Sequence, residues 1–195
     1  MKFFIATKNP KKLKELKRIL EPLGIDAVCE SDLDIVLPEV EETGITFSEN
    51  AMLKAVSGMN ATGLVSIADD SGLCVDALGG EPGVYSARYS GPDSNDNRNI
   101  EKLLKSLKDV PYEKRTARFV TVVACVFPDG RSFTAEGVCE GHITTEKHGD
   151  NGFGYDPVFE TEKGVFGELD SSVKDAISHR GKALKKFSEI IKDYI

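Results

Sequence analysis

Near its start the chain passes from an apolar stretch, Lys2-Phe-Phe-Ile-Ala-Thr7, directly into Asn9-Pro10, and this junction constrains the fold more than any other feature. The apolar stretch reads as a buried strand. Asparagine is a favoured N-cap, and proline suits the first helical position, where its missing N–H has no partner to lose. Leu13, Leu16, Ile19 and Leu20 then recur at helical spacing and supply one apolar face. A strand feeding straight into an amphipathic helix predicts an α/β beginning.

The remaining elements follow by the same reasoning. Thr46-x-x-Glu49 is a capping box opening a second helix that reaches about residue 59, with Asn50 and Lys54 four apart on one face. A short apolar strand over 64–68 is expected to end in Asp69-Asp70-Ser71-Gly72, and Gly79, Gly80, Pro82 and Gly83 mark a long irregular connection. A helix is predicted over 99–107. Alternation over 115–127, the turn Pro128-Asp129-Gly130 and the stretch 131–140 predict a hairpin. Asp150-Asn-Gly-Phe-Gly-Tyr-Asp-Pro157 reads as a loop, and Gly181 precedes a terminal helix with Ala183, Leu184, Phe187, Ile190 and Ile191 on its apolar side. The expected product is one α/β domain over 1–195, a mixed sheet with helices packed on its faces.

A formal net charge of −7 argues against a nucleic-acid surface, which needs a dominant basic face. No stretch reaches the length of a membrane span and no leader-like h-region opens the chain, so the expected location is cytoplasmic. Cys29, Cys74, Cys125 and Cys139 form no C-x-x-C pair, and Cys139, His142 and His148 lack a fourth zinc ligand.

Two acidic clusters, Glu39, Glu41 and Glu42 before one helix and Asp69 and Asp70 after one strand, suit a hard cation such as magnesium. Basic residues in four segments, Lys11 with Lys12, Lys54, Lys174 and Arg180, suit polyphosphate. Carboxylates to hold a metal and cations to neutralise phosphate oxygens form the arrangement that phosphoryl chemistry requires. Taken singly, each is equally a capping acid or a surface lysine. There is no GxxxxGK[ST] and no GxSxG, and Gly152-Phe-Gly154 lacks the last glycine of a dinucleotide fingerprint. Asp93-Ser-Asn95-Asp-Asn97 starts like a calcium loop but has Arg98 where glycine is needed and Leu104 where glutamate should stand.

Six segments in order, Ala6-Thr-Lys-Asn-Pro-Lys-Lys12, Glu41-Glu-Thr-Gly-Ile-Thr-Phe-Ser-Glu-Asn-Ala51 with Lys54, Ala68-Asp-Asp-Ser-Gly-Leu73, Leu78-Gly-Gly-Glu-Pro-Gly-Val-Tyr-Ser-Ala-Arg-Tyr-Ser-Gly91, Gly152-Phe-Gly-Tyr-Asp-Pro157 and Ile177-Ser-His-Arg-Gly181, closely resemble the inosine triphosphate pyrophosphatase family. Within it the match is to the bacterial XTP/dITP diphosphatases and runs almost end to end. The resemblance implies an elongated, two-lobed α/β fold around a long mixed sheet flanked by helices, a nucleotide cleft between the lobes, magnesium as cofactor and a homodimer. It implies that Thr7, Lys8, Asn9, Pro10, Lys11 and Lys12 line the triphosphate site and that Lys54 and Lys174 bind phosphate. Glu41 with Asp70 would hold magnesium, Asp70 would also be the proton acceptor, and the choice between Glu41 and Glu42 stays open. Ser71 would contact substrate, and Phe153, Gly154, Tyr155 and Asp156 with His179 and Arg180 would hold base and sugar, Arg180 donating to a 6-oxo group. Many relatives have glycine where this chain has Lys8. Maf-like pyrophosphatases match these motifs far less well, and a nucleotide-binding module without catalysis would release no pyrophosphate.

Overall fold

The computed structural model describes residues 2–195. Its strands form a mixed seven-stranded sheet in the order β2-β1-β3-β4-β5-β6-β7. They are β1 (Lys2–Ile5), β2 (Asp26–Val28), β3 (Val65–Val75), β4 (Thr116–Val126), β5 (Ser132–Ile143), β6 (Phe159–Thr161) and β7 (Gly164–Val165). β1 runs parallel to both β2 and β3, with Phe3 opposite Val65 and Ile5 opposite Ile67, whereas β6 is antiparallel to β5 and β7. The helices are α1 (Pro10–Leu20), α2 (Glu30–Leu33), α3 (Phe47–Thr62), α4 (Asp96–Ser106), α5 (Ser171–Ile177) and α6 (His179–Ile190). None is long and apolar enough to cross a membrane among the described residues.

The described residues divide into two compact units. The first holds the chain up to Asp70 with 121–137 and 180–195, and the second holds 71–120 with 138–179. In the first unit the period of two along β1 and β3 sends side chains alternately to two apolar layers. Phe3, Ile5, Val65 and Ile67 pack with Leu16 and Leu20 of α1 and Leu184 and Phe187 of α6. Phe4, Ala6 and Ala68 pack with Ala51 and Ala55 of α3. α3 lies close to the sheet because Ala51, Ala55 and Gly58 stand on its inner face. A Cβ added at Gly58 would come within 2.5 Å of Ser66 Oγ and 2.7 Å of Ala6 Cβ. The second unit has its own core, centred on Phe119, Phe159 and Phe166 with Leu73, Ile100 and Leu103.

The helix starts obey their caps. The Asn9 side chain accepts from Lys11 N at 3.0 Å and Lys12 N at 3.2 Å, and Thr46 and Glu49 close the capping box of α3. Boundaries beside the candidate site differ from the sequence expectation. β3 does not stop at Asp69 but continues to Val75, because Leu73 and Val75 are fully buried and the two aspartates find cationic partners. α4 begins at Asp96, capped by the Asn95 side chain, three residues before the expected start. α6 begins at His179, so Gly181 lies inside the helix rather than before it.

Candidate active site

Asp69 and Asp70 are consecutive on β3, so their side chains leave the strand on opposite faces. Asp69 follows Val65 and Ile67 onto the α1 and α6 side. There its Oδ2 meets Lys12 Nζ at 3.2 Å and the Arg180 guanidinium at 3.1 Å from Nη2 and 3.3 Å from Nε. Arg180 also donates through Nη1 to Glu15 of α1. Asp70 follows Ser66 and Ala68 onto the α3 side, where Lys54 Nζ lies 2.9 Å from Asp70 Oδ1 and 2.9 Å from Glu42 Oε1. A single ammonium equidistant from both carboxylates shows that Glu42 and Asp70 converge on one point. Asn50 helps to bring them there. It is fully buried, accepts from Gly44 N at 2.8 Å and donates to Gly44 O, which ties the segment carrying Glu42 to α3.

These surroundings separate the two carboxylates. Burial acts to raise Asp69, but Lys12, Arg180 and Lys54 outweigh it and hold its pKa well below the usual carboxylate range. Burial also acts on Asp70, and there it prevails over Lys54 and Lys12, so the pKa is raised. Burial pulls Lys12 below an ordinary lysine in spite of Asp69. It would lower Lys54 too, but Asp70, Asp69 and Glu42 raise that ammonium instead. Adjacent carboxylates pushed apart in this way commonly take different roles, one a fixed anion and the other a proton acceptor.

One oxygen of each aspartate, Asp69 Oδ1 and Asp70 Oδ2, is buried with no hydrogen-bond partner among the described residues. A buried carboxylate oxygen without a donor is costly, and a hard cation is the ligand that would offset the cost. The donor set therefore fits magnesium. Among the described residues no group of three or more His, Cys, Asp or Glu side chains could hold a metal. Magnesium characteristically uses one or two carboxylates and completes its shell with water and substrate phosphates, so a pair of carboxylates such as Asp70 and Glu42 is a number of protein ligands it accepts. Glu41 is exposed.

In the second unit the Gly152-Phe-Gly-Tyr-Asp156 segment forms a tight turn. Gly152 and Gly154 take φ of 76° and 60°, and Asp156 N donates to Phe153 O at 3.2 Å. Asp156 Oδ2 accepts from Phe153 N at 2.8 Å and from Lys174 Nζ at 2.7 Å. Gly154 N donates to Asp96 Oδ2 at 2.9 Å, and Tyr155 Oη donates to Ser86 O at 2.8 Å. Lys174 of α5 is 5% exposed and stands 5.2 Å from the centre of the half-buried Phe153 ring. His179 is buried and stacks on Phe119, ring centres 4.6 Å apart.

The structure thus gathers Lys12, Lys54, Asp70 and Arg180 in the first unit, and Phe153, Gly154, Tyr155, Asp156 and Lys174 in the second. Lys8, Asn9, Pro10 and Lys11 are exposed around the α1 N-terminus, with Thr7 and Ser71 half-buried. Arg180 is 2% exposed and engages Glu15 and Asp69, and these contacts hold Asp69. Lys174 engages Asp156 and braces the turn. Glu15 and Asp96 were missed by the sequence reading. Glu15 had a signal, since it lies three residues after Lys12 and beside Leu16 on the inward face of α1, where an acid is out of place unless paired.

The chain is an α/β protein whose mixed sheet carries paired strand aspartates among one buried and two half-buried cations. The chain belongs to the Ham1 family, which it matches over residues 3–190. It is 53% identical over 190 residues to a dITP/XTP pyrophosphatase of Bacillus licheniformis, covering 96% of each chain. It is 51% identical over 193 residues to a dITP/XTP pyrophosphatase of Desulforamulus reducens, covering 98% of this chain and 96% of that one. The Ham1 protein of Staphylococcus aureus superposes with a TM-score of 0.87 at 39% identity, covering 100% of both chains.

Proposed function

We propose that this protein is a nucleoside triphosphate pyrophosphatase that hydrolyses non-standard purine nucleotides, ITP, dITP and XTP, to the monophosphate and pyrophosphate and so removes them from the nucleotide pool. The observation that carries the reading is the division between the neighbouring aspartates, Asp69 locked among Lys12 and Arg180, and Asp70 converging with Glu42 and keeping one buried oxygen without a donor. The names of the relatives support the same activity.

In this reading Asp70 takes a proton from a water molecule as its oxygen attacks the α-phosphorus and the bond to the bridging oxygen breaks. Lys12 and Lys54 neutralise charge on the departing pyrophosphate, and the positive end of α1 favours the anion further. Because the Asn9 cap already accepts from the Lys11 and Lys12 amides, phosphate oxygens would be met by the lysine side chains. Magnesium, held by Asp70 with Glu42 or Glu41, would add charge neutralisation and orient the phosphates. Arg180 and Glu15 keep Asp69, and with it the strand, in register.

The Phe153 ring offers a stacking surface for the purine, and the glycines beside it let backbone approach closely. Hypoxanthine differs from adenine in carrying a 6-oxo acceptor and a ring N–H donor. A desolvated pocket of matching polarity therefore rejects adenine by leaving buried groups unpaired. A cytoplasmic location and a homodimer belong to the same proposal and rest on the family resemblance.

The test is pyrophosphate release with magnesium over a panel of ITP, dITP, XTP, ATP, dTTP and UTP. The expected result is monophosphate and pyrophosphate from ITP, dITP and XTP, with ATP far slower. Preference for dTTP or UTP would point to Maf-like specificity, and binding without pyrophosphate would make the protein a non-catalytic module.

A further inference from the structure

We infer that Asp96 is a positioning residue for base discrimination, acting through the Gly154 N–H on the turn that presents Phe153. The inference rests on the proposed role of that turn in holding the base. It begins with the turn's conformation. Gly154 stands at the first central position of the 153–156 turn with φ 60°, and Tyr155 follows at φ −89°, ψ 7°, the pattern of a type II′ turn. Glycine permits this conformation without enforcing it, because it populates positive and negative φ almost equally.

What enforces it is a set of carboxylates. The peptide between Phe153 and Gly154 is tied at both ends, its carbonyl accepting from Asp156 N and its N–H donating to Asp96 Oδ2. The preceding peptide is tied through Phe153 N to Asp156 Oδ2, which Lys174 also holds. With both its amide and the following one committed to carboxylates, Phe153 has a fixed backbone from which to aim its ring. Of these anchors Asp96 is the one from a distant part of the chain, 58 residues away. The same helix end grips the approach to the turn a second time, where Lys147 Nζ donates to Asn97 Oδ1 at 2.9 Å. The Asp93-Ser-Asn-Asp-Asn97 stretch, which begins like a calcium loop in sequence, thereby has another employment: its Asn95 caps α4, its Asp96 holds the Gly154 amide and its Asn97 holds Lys147 on the approach to the turn.

Asp96 also sits in the first turn of α4, where any acid favours the helix. Two variants separate the roles. Asp96→Ala removes both the charge and the acceptor, whereas Asp96→Asn removes the charge but keeps an oxygen that can accept from Gly154 N–H. Kinetic constants for ITP and ATP are measured for wild type and both variants, with hydrogen exchange of the Gly154 amide. Asp96→Ala should raise KM for ITP about tenfold with a smaller change in kcat, narrow the ITP-to-ATP ratio of kcat/KM, and speed Gly154 exchange. Asp96→Asn should restore all three towards wild type. If Asp96→Ala keeps the ITP-to-ATP ratio, or if Asp96→Asn is as impaired as Asp96→Ala, Asp96 serves the helix and the inference fails while the proposed function stands. If the wild-type enzyme itself does not distinguish ITP from ATP, the functional reading fails and takes the inference with it.

Discussion

In the first unit Asp69 and Asp70 stand on a central strand and face the side chains of lysine and arginine; in the second, Asp96 and Asp156 stand beside a glycine turn and accept from its backbone amides. The residue type is the same and the outcome differs. Carboxylates on a strand inherit the rigidity of the sheet, so their surroundings tune charge and leave oxygens available for chemistry. Carboxylates beside a turn use their acceptors to fix a backbone that has little structure of its own. The first arrangement suits catalysis and the second suits recognition.

The sharpest way to break that division is to remove one carboxylate from each region. Asp70→Asn should lower kcat by about 10²–10⁴-fold with little change in KM, since the amide cannot take a proton. Asp156→Asn should act mainly on KM and on base preference. Equal losses of kcat in steady-state assays of the two variants would erase the distinction between them.

A somewhat smaller effect is expected on stability. Arg180→Met leaves Glu15 and Asp69 buried without their shared cation, a change that typically costs about 3–5 kcal/mol. Chemical denaturation should show the loss. Combining it with Glu15→Met should recover part of it, because the buried charges are then fewer; no recovery would mean that Glu15 does not act through Arg180.

The smallest effect is expected far from both centres. Lys17 donates to Asp32 Oδ2 at 2.6 Å, and this bond, with those from Cys29, holds the Asp32 pKa at about 2. A carboxyl whose folded pKa lies below its unfolded one, about 3.9, adds stability that is present above the unfolded value and lost as pH falls through the folded one. Unfolding midpoints of wild type and Lys17→Met should therefore differ at pH 6 and converge as pH falls from about 4 to 2. A difference that persists at pH 2 would assign the effect to packing of the lysine stem.

Much of the first unit was legible in the sequence, because its signals are local. The Asn9-Pro10 start, the Thr46 and Glu49 capping box and the apolar face of α1 each act within a few residues. The course of β3 was not. Asp-Asp-Ser-Gly has the composition of a turn, and only partners 57 and 111 residues away, Lys12 and Arg180, let Asp69 stay inside a strand. The division into two units was equally hidden, since its boundaries at 70, 120 and 137 fall within strands β3, β4 and β5 and that at 179 falls within α6, none of them in a linker. Site residues carried by motifs were found as candidates. Those that act on the motif from elsewhere, Glu15 and Asp96, carry no motif of their own.

In the proposed mechanism water attacks the α-phosphorus, and isotope placement identifies the phosphorus attacked. ITP hydrolysed in ¹⁸O-labelled water, with products analysed by mass spectrometry, should carry the label in inosine monophosphate and none in pyrophosphate. Label in the pyrophosphate would place the attack on the β-phosphorus and contradict the account.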